Sequence, residues 1–265
     1  MKKSIITCIL VATLLGATSA NAYFVRPFYT QGGSFVDGFV ENGATSRQLN
    51  FANSLISEVD LNDGTVKALV DIAGTGIFAQ AGGVFGDTVT FNNATGTTVD
   101  FSFAFDGNIE VTNVINQGST LQYGVSATLF IFDTGSGATY DNFTTIGGER
   151  IGEKMFLSFL DPTEDVFETI NEELSGSLVI GAVNSFDVFA SLSVFTSTNQ
   201  NPVTVNLDFL NTGTFGIDAD PGVTYSSASG VFLASVPPVT VPEPATLVLM
   251  GLGLAGLGFS RKRKA

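Results

Sequence analysis

Apolar and polar residues alternate with a period of two along several stretches of the chain, the pattern of strands that bury one face and wet the other. The run Val99 to Asp106 puts Val99, Phe101, Phe103 and Phe105 on one side and small or polar residues on the other. Leu121, Tyr123, Val125, Ala127, Leu129 and Ile131 alternate in the same way with Gln122, Gly124, Ser126 and Thr128. Val188, Ala190, Leu192 and Val194 repeat the pattern, as do Val203, Val205, Leu207 and Phe209. Turn chemistry falls between such runs. Asn62-Asp63-Gly64 separates two of them and its Asp-Gly pair suits the positive φ of a hairpin. Asp106-Gly107-Asn108 is expected to turn the chain a second time. The expectation is an all-β protein, a two-sheet antiparallel β-sandwich that is jelly-roll-like; no fixed-period repeat suggests a solenoid or propeller.

One segment reads differently. Asp161-Pro162-Thr163-Glu164 offers an N-cap, Pro at the first helical position and an acid at the third. Phe167, Ile170 and Leu174 then share a helical face, and Gly176 can end the element. One short helix is therefore expected here.

The two ends depart from the alternating pattern. Lys2 and Lys3 precede an apolar run from Ile5 to Ala17, followed by Ala20-Asn21-Ala22, the three parts of a secretory signal peptide. Residues 1–22 are expected to engage the Sec translocon and to be cleaved after Ala22, with Ala20 and Ala22 as the small residues of the site. Cys8, the only cysteine, lies inside the apolar run rather than after it, which argues against acylation. At the other end, Pro242-Glu243-Pro244 leads into an apolar, Gly-rich run from Ala245 to Phe259, and then into Arg261, Lys262, Arg263 and Lys264. As a helix, 15 residues cover about 22 Å, short of the ~30 Å of a hydrocarbon core. Flanking residues would snorkel or the bilayer would thin, with the basic cluster on the cytoplasmic side. Val236 to Val241, rich in proline, reads as an extended spacer.

This tail resembles the PEP-CTERM sorting signal of Gram-negative bacteria, which has the same triplet, transmembrane-like segment and basic end. The resemblance covers about 25 residues and implies an exosortase-like membrane protease as partner, acting near Pro242, Glu243 and Pro244. It also implies association with extracellular polysaccharide. The stretch Val223 to Phe232 is similar, more loosely, to the closing strands of many carriers of that signal. The resulting organisation is a signal peptide (1–22), a β-sandwich body (23–235), a spacer (236–241) and a sorting signal (242–265).

Charge then narrows the partners. The body has five basic residues (Arg26, Arg47, Lys67, Arg150 and Lys154) against 24 acids, a net charge of −19. Nucleic acid needs clustered Lys and Arg to neutralise phosphates, and no such cluster exists outside the tail. Acidic polymers and anionic lipid are repelled by the same field; neutral glycans are not. The body contains no His, Cys or Trp, so core packing must stabilise it without a disulfide, and Phe (24 in the chain) supplies the apolar volume.

Without His or Cys, neither a Ser-His-Asp triad nor a thiol nucleophile or His/Cys metal site can form. A Ser–Lys dyad would need Lys67, which alternation puts on the solvent side, or Lys154, in a stretch that reads as loop, and no Ser-x-x-Lys precedes either. Paired carboxylates suffice for glycoside hydrolysis. The densest acids are Asp161, Glu164, Asp165, Glu168, Glu172 and Glu173, which read as the solvated face of the expected helix. Asp218 and Asp220 alternate in a loop-like stretch and are the weak Ca²⁺ candidates; no other cofactor is expected. Asn93-Ala94-Thr95 and Asn142-Phe143-Thr144 match glycosylation sequons by chance. The five Tyr are scattered, so no sugar-stacking cluster is legible. The expectation is a non-catalytic, exported surface or matrix protein; the alternative is a glycan-binding or glycan-hydrolysing module.

Overall fold

The computed structural model describes residues 23–42, 44–52, 54–114, 121–160, 162, 164–198 and 202–233. The expected signal peptide, spacer and sorting signal lie outside them. The described residues form fourteen strands: β1 (Phe24–Gln31), β2 (Ser34–Asp37), β3 (Val40–Glu41), β4 (Ser46–Phe51), β5 (Leu55–Asp60), β6 (Thr65–Gly74), β7 (Phe78–Asn92), β8 (Thr98–Thr112), β9 (Gln122–Asp133), β10 (Ile151–Leu160), β11 (Val166–Val179), β12 (Ser185–Ser197), β13 (Val203–Ala219) and β14 (Thr224–Ser227). Two antiparallel sheets face each other. Sheet A has the order β10-β9-β12-β7-β1-β2, with β14 also on β7 and β3 on β1; sheet B has the order β11-β8-β13-β6-β5-β4.

The strand order defines the fold. β9 pairs with β10, β8 with β11, β7 with β12 and β6 with β13, each antiparallel. These four nested pairs form one long ribbon wound so that successive pairs alternate between the sheets, which is the jelly roll. Strands β1 to β5 extend both sheets beyond it.

The alternating residues named in the sequence meet between the sheets. Phe101, Phe103, Phe105, Val125, Leu129, Val188, Leu192, Val205, Leu207 and Phe209 are all buried in one core. Aromatic rings lock it edge to face, as in the Phe85–Phe215 pair at 5.9 Å and the Phe91–Phe101 pair at 6.0 Å. The hairpin at Asn62-Asp63-Gly64 forms between β5 and β6, with Gly64 at φ +64°.

Three expectations are corrected. None of the described residues lies in a helix, and the segment expected to be one forms β11, paired with β8 along its whole length. Ile170, Leu174 and Leu178 are buried at a spacing of four, which satisfies periods of 2 and of 3.6 alike. Phe167 decides between them: a helix would bury it beside Ile170, whereas it is 69% exposed on the opposite face of the strand. The turn at Asp106-Gly107-Asn108 is absent, because β8 continues straight through it. Gly107 instead serves close packing, since a Cβ there would come within 2.5 Å of the Phe209 ring. Lys154, expected in a loop, lies on β10.

The body closes on its own C-terminal segment. Phe232 packs against Phe85 and Phe215 at 5.7 and 5.2 Å, and the Leu233 amide donates to the Leu61 carbonyl at 3.0 Å. Just before them sits Asp87, on the core side of β7 between Phe85 and Val89 and almost fully buried. Its carboxylate accepts from the Ser229 hydroxyl (2.5 Å) and from the backbone amides of Thr88, Ala228 and Ser229. Burial pushes its pKa up to about 6 despite these bonds.

Candidate functional site

The outward faces of the two sheets have opposite chemistry. On sheet B, alternation turns Glu58, Asp60, Asp71, Asp100, Asp106, Glu110, Glu173, Asp208 and Asp218 outward against one cation, Lys67, which pairs with Glu58 at 3.0 Å. Asp218 stands directly opposite Asp100 in the register, and both edge a shallow hollow with Glu173. Asp220 follows the end of β13, exposed. Among the described residues, no three acids are placed to hold a metal ion together. Of the acids read as one helix face, Glu173 points outward from β11, whereas Glu168 and Glu172 lie on its inner side, near water because β11 is an edge strand.

Sheet A presents aromatic rings and hydroxyls. At one end Phe24, Phe130, Phe132 and Phe189 project outward and are buried under the loop between β9 and β10. Phe143 of that loop stacks on Phe189 at 5.1 Å and meets Phe130 edge-on at 5.6 Å. The loop holds its shape through Asn142, which accepts from the Thr139 amide and donates to the Gly137 carbonyl. Two cations pin its rim: Lys154 lies 5.0 Å over Phe130 and donates to the Thr144 carbonyl, and Arg26 lies 5.1 Å over Tyr140. Beneath the loop is a cleft of about 220 Å³ whose lining includes Phe24, Tyr140, Phe189 and three acids, Glu41, Asp87 and Asp187. Asp187 accepts from the Thr88 hydroxyl at 2.7 Å, and burial raises its pKa.

Beyond the loop, the same face is open. Phe156 on β10 stacks parallel on Phe195 of β12, with centroids 5.5 Å apart and planes 5° from parallel. Phe28 of β1 meets Phe35 of β2 at 6.0 Å. Between these pairs the registers align Ser126, Ser193 and Gly82 in one row and Gly124, Phe195 and Gln80 in the next. Gln80 donates to Ser193 and Gln122 to Ser158, both at 3.1 Å. Three charges border these rows: Asp37, which accepts three hydrogen bonds from Arg26 at 2.9–3.2 Å, and, in the adjacent row with Thr128, Ser191 and Val84, Arg26 itself and Lys154.

Asp87 and Asp187 do not form a working acid pair. They sit on adjacent strands but on opposite sides of sheet A, and Asp87 is committed to the 228–229 backbone and Ser229. The roofed cluster has a trace in the sequence, because Leu129-Phe130-Ile131-Phe132 is apolar on both faces of a strand.

The geometry defines an all-β jelly-roll protein with one acidic and one neutral aromatic face. The PEP-CTERM protein-sorting motif matches residues 240–264, so the chain carries that motif at its C-terminal end. No curated protein matches it in sequence. Among solved structures it is similar to TmCBM61, a carbohydrate-binding module in complex with beta-1,4-galactotriose, at 10% identity and a TM-score of 0.24, covering 72% of this chain and 88% of that one. It is also similar to the infectious bursal disease virus Gt strain at 14% identity and a TM-score of 0.12, covering 89% of this chain and 72% of that one. At such scores these likenesses add nothing to the strand order.

Proposed function

We propose that the protein is an exported, non-catalytic component of the cell surface or extracellular matrix, delivered through residues 1–22 and the Sec translocon and processed by an exosortase-like membrane protease. The observation that carries this proposal is the sorting motif at residues 240–264, which begins seven residues after the last described residue of the body, Leu233. In this scheme residues 23–235 are the displayed body and residues 236–241 its spacer. Pro242, Glu243 and Pro244 mark the processing region, and Arg261, Lys262, Arg263 and Lys264 hold the tail at the cytoplasmic side until cleavage. The commitment of Asp87 to the C-terminal segment favours a non-catalytic body.

Intact mass of the mature protein tests this. Wild type is expected to begin at Tyr23 and end near Pro242. A variant with Pro242, Glu243 and Pro244 all changed to Ala is expected to keep its basic tail and stay in the membrane fraction. A wild-type protein that retains Ala265 would show a plain anchor and overturn the exosortase assignment.

A further inference from the structure

We infer that the open part of the outer face of sheet A binds an uncharged polysaccharide chain, lying between the Phe156–Phe195 stack and the Phe28–Phe35 pair with its hydroxyls on Ser126, Ser193 and Gln80. The inference rests on the surface-protein proposal only in placing the body among extracellular polymer.

The exposed rings are the first part of the argument. Phe156 is 62% exposed and Phe35 54%, yet both are held in place by a ring neighbour, so their faces are ordered before any ligand arrives. An ordered π-face attracts the weakly positive C–H groups of a sugar ring, as it does the edge of another aromatic. Phe195 is fixed from below as well. Its ring packs over Gly124, where a Cβ would lie 3.1 Å from it.

The floor between the rings selects among partners. It consists of hydroxyl and amide groups and contains no charge. Gln80 donates to Ser193, which leaves the Ser193 hydroxyl proton available, and the Ser126 hydroxyl has no partner among the described residues. A lipid tail or an apolar protein surface laid on this floor would strip these groups of water without replacing the bonds. A sugar chain replaces them, because each residue carries several hydroxyls that both donate and accept.

Charge excludes the other occupants. The body carries five basic and 24 acidic residues, so polyuronates and sulfated polymers are repelled, as is a second copy of the same chain. The rows of Ser126, Ser193 and Gly82 and of Gly124, Phe195 and Gln80 carry no carboxylate, and the one at their edge, Asp37, is neutralised by Arg26.

Affinity electrophoresis tests the inference, using the protein purified from producing cells in native gels cast with hydroxyethylcellulose, galactan or dextran, and with alginate as a polyanion. At least one neutral polymer is expected to retard the protein, and alginate is not. Phe156→Ala, at an exposed position on an edge strand, should weaken retention roughly tenfold, the size of one aromatic contact. Ser126→Asp should abolish it, and Asp106→Asn on sheet B should leave it unchanged. The inference is overturned if none of the neutral polymers retards the protein, if alginate retards it equally, or if Phe156→Ala is held like wild type. It is also overturned if sedimentation shows a dimer that Phe156→Ala dissolves, since the face then serves a second copy. An unprocessed tail on a protein that neutral polymer retards would remove the sorting proposal alone; a processed protein that no neutral polymer retards would remove this inference alone.

Discussion

The outer faces of the two sheets are built by the same alternation and have opposite consequences. On sheet B nine of the outward residues are acids and the apolar ones, such as Phe167, stand singly, so the face is a hydrated, repulsive surface. On sheet A the outward positions include Phe24, Phe130, Phe132 and Phe189, which have to be covered, and the chain covers them with its own loop. What the loop leaves open carries further rings set in a neutral floor. A sandwich needs one core, and a second apolar layer on the outside of one sheet is a place where a sequence has done something beyond folding.

The largest test of this difference removes one ring from each face. Phe189→Ala takes away the surface on which Phe24, Phe132 and Phe143 pack, and is expected to cost about 3–5 kcal/mol in urea unfolding. Phe167→Ala on the outside of sheet B, 69% exposed, should stay within about 0.5 kcal/mol. Equal costs would mean that the loop does not depend on the rings beneath it.

A second test sets the buried acid of sheet A against the hydrated acids of sheet B. Asp87 has its folded-state pKa raised by burial to about 6, so the folded protein holds a proton there that the unfolded chain has released. The associated stability is present below pH ~4 and is lost as pH rises through about 6, at most ~3 kcal/mol. The difference in unfolding free energy between wild type and Asp87→Asn should therefore shift against wild type from pH 4 to pH 7. A difference that stays constant over that range would show that Asp87 does not titrate in the fold.

The smallest effect lies on sheet B itself. Asp218 stands across from Asp100, and like charges directly opposite each other oppose strand pairing. Asp218→Asn should raise stability by about 0.2–1 kcal/mol at low salt, a gain that disappears in ~1 M salt, where the screening length falls to about 3 Å. A loss of stability instead would mean that the pair holds a cation.

How much of this was legible follows from where the periods are unambiguous. Strands such as β8, β9, β12 and β13 announced themselves because one face is apolar and the other is not, which pointed to a jelly-roll-like sandwich, while the strand order itself came only from the pairing. β11 was misread because Ile170, Leu174 and Leu178 are spaced by four, a multiple shared by strand and helix, while Asp161 to Glu164 offered a convincing cap. Gly107 was misread because the same residue serves a turn and a close approach, and only the position of Phe209 on a strand about 100 residues away distinguishes them. The neutral face of sheet A was not legible. It is assembled from single residues of β1, β2, β7, β9, β10 and β12, and only the register brings Phe28, Gly82, Ser193 and Ser126 into line.

The division between the faces is tested most directly by placing one reporter on each. Cys8 is the only cysteine and lies in the segment expected to be cleaved, so the mature body accepts a single environment-sensitive fluorophore at Ser158→Cys, at the rim of the open face of sheet A, or at Asn108→Cys on sheet B. On titration with the neutral polymer that retards the protein most strongly, emission is expected to change and saturate for the label at 158 and to stay flat for the label at 108. A response at 108 with none at 158, or an equal response at both, would contradict the account.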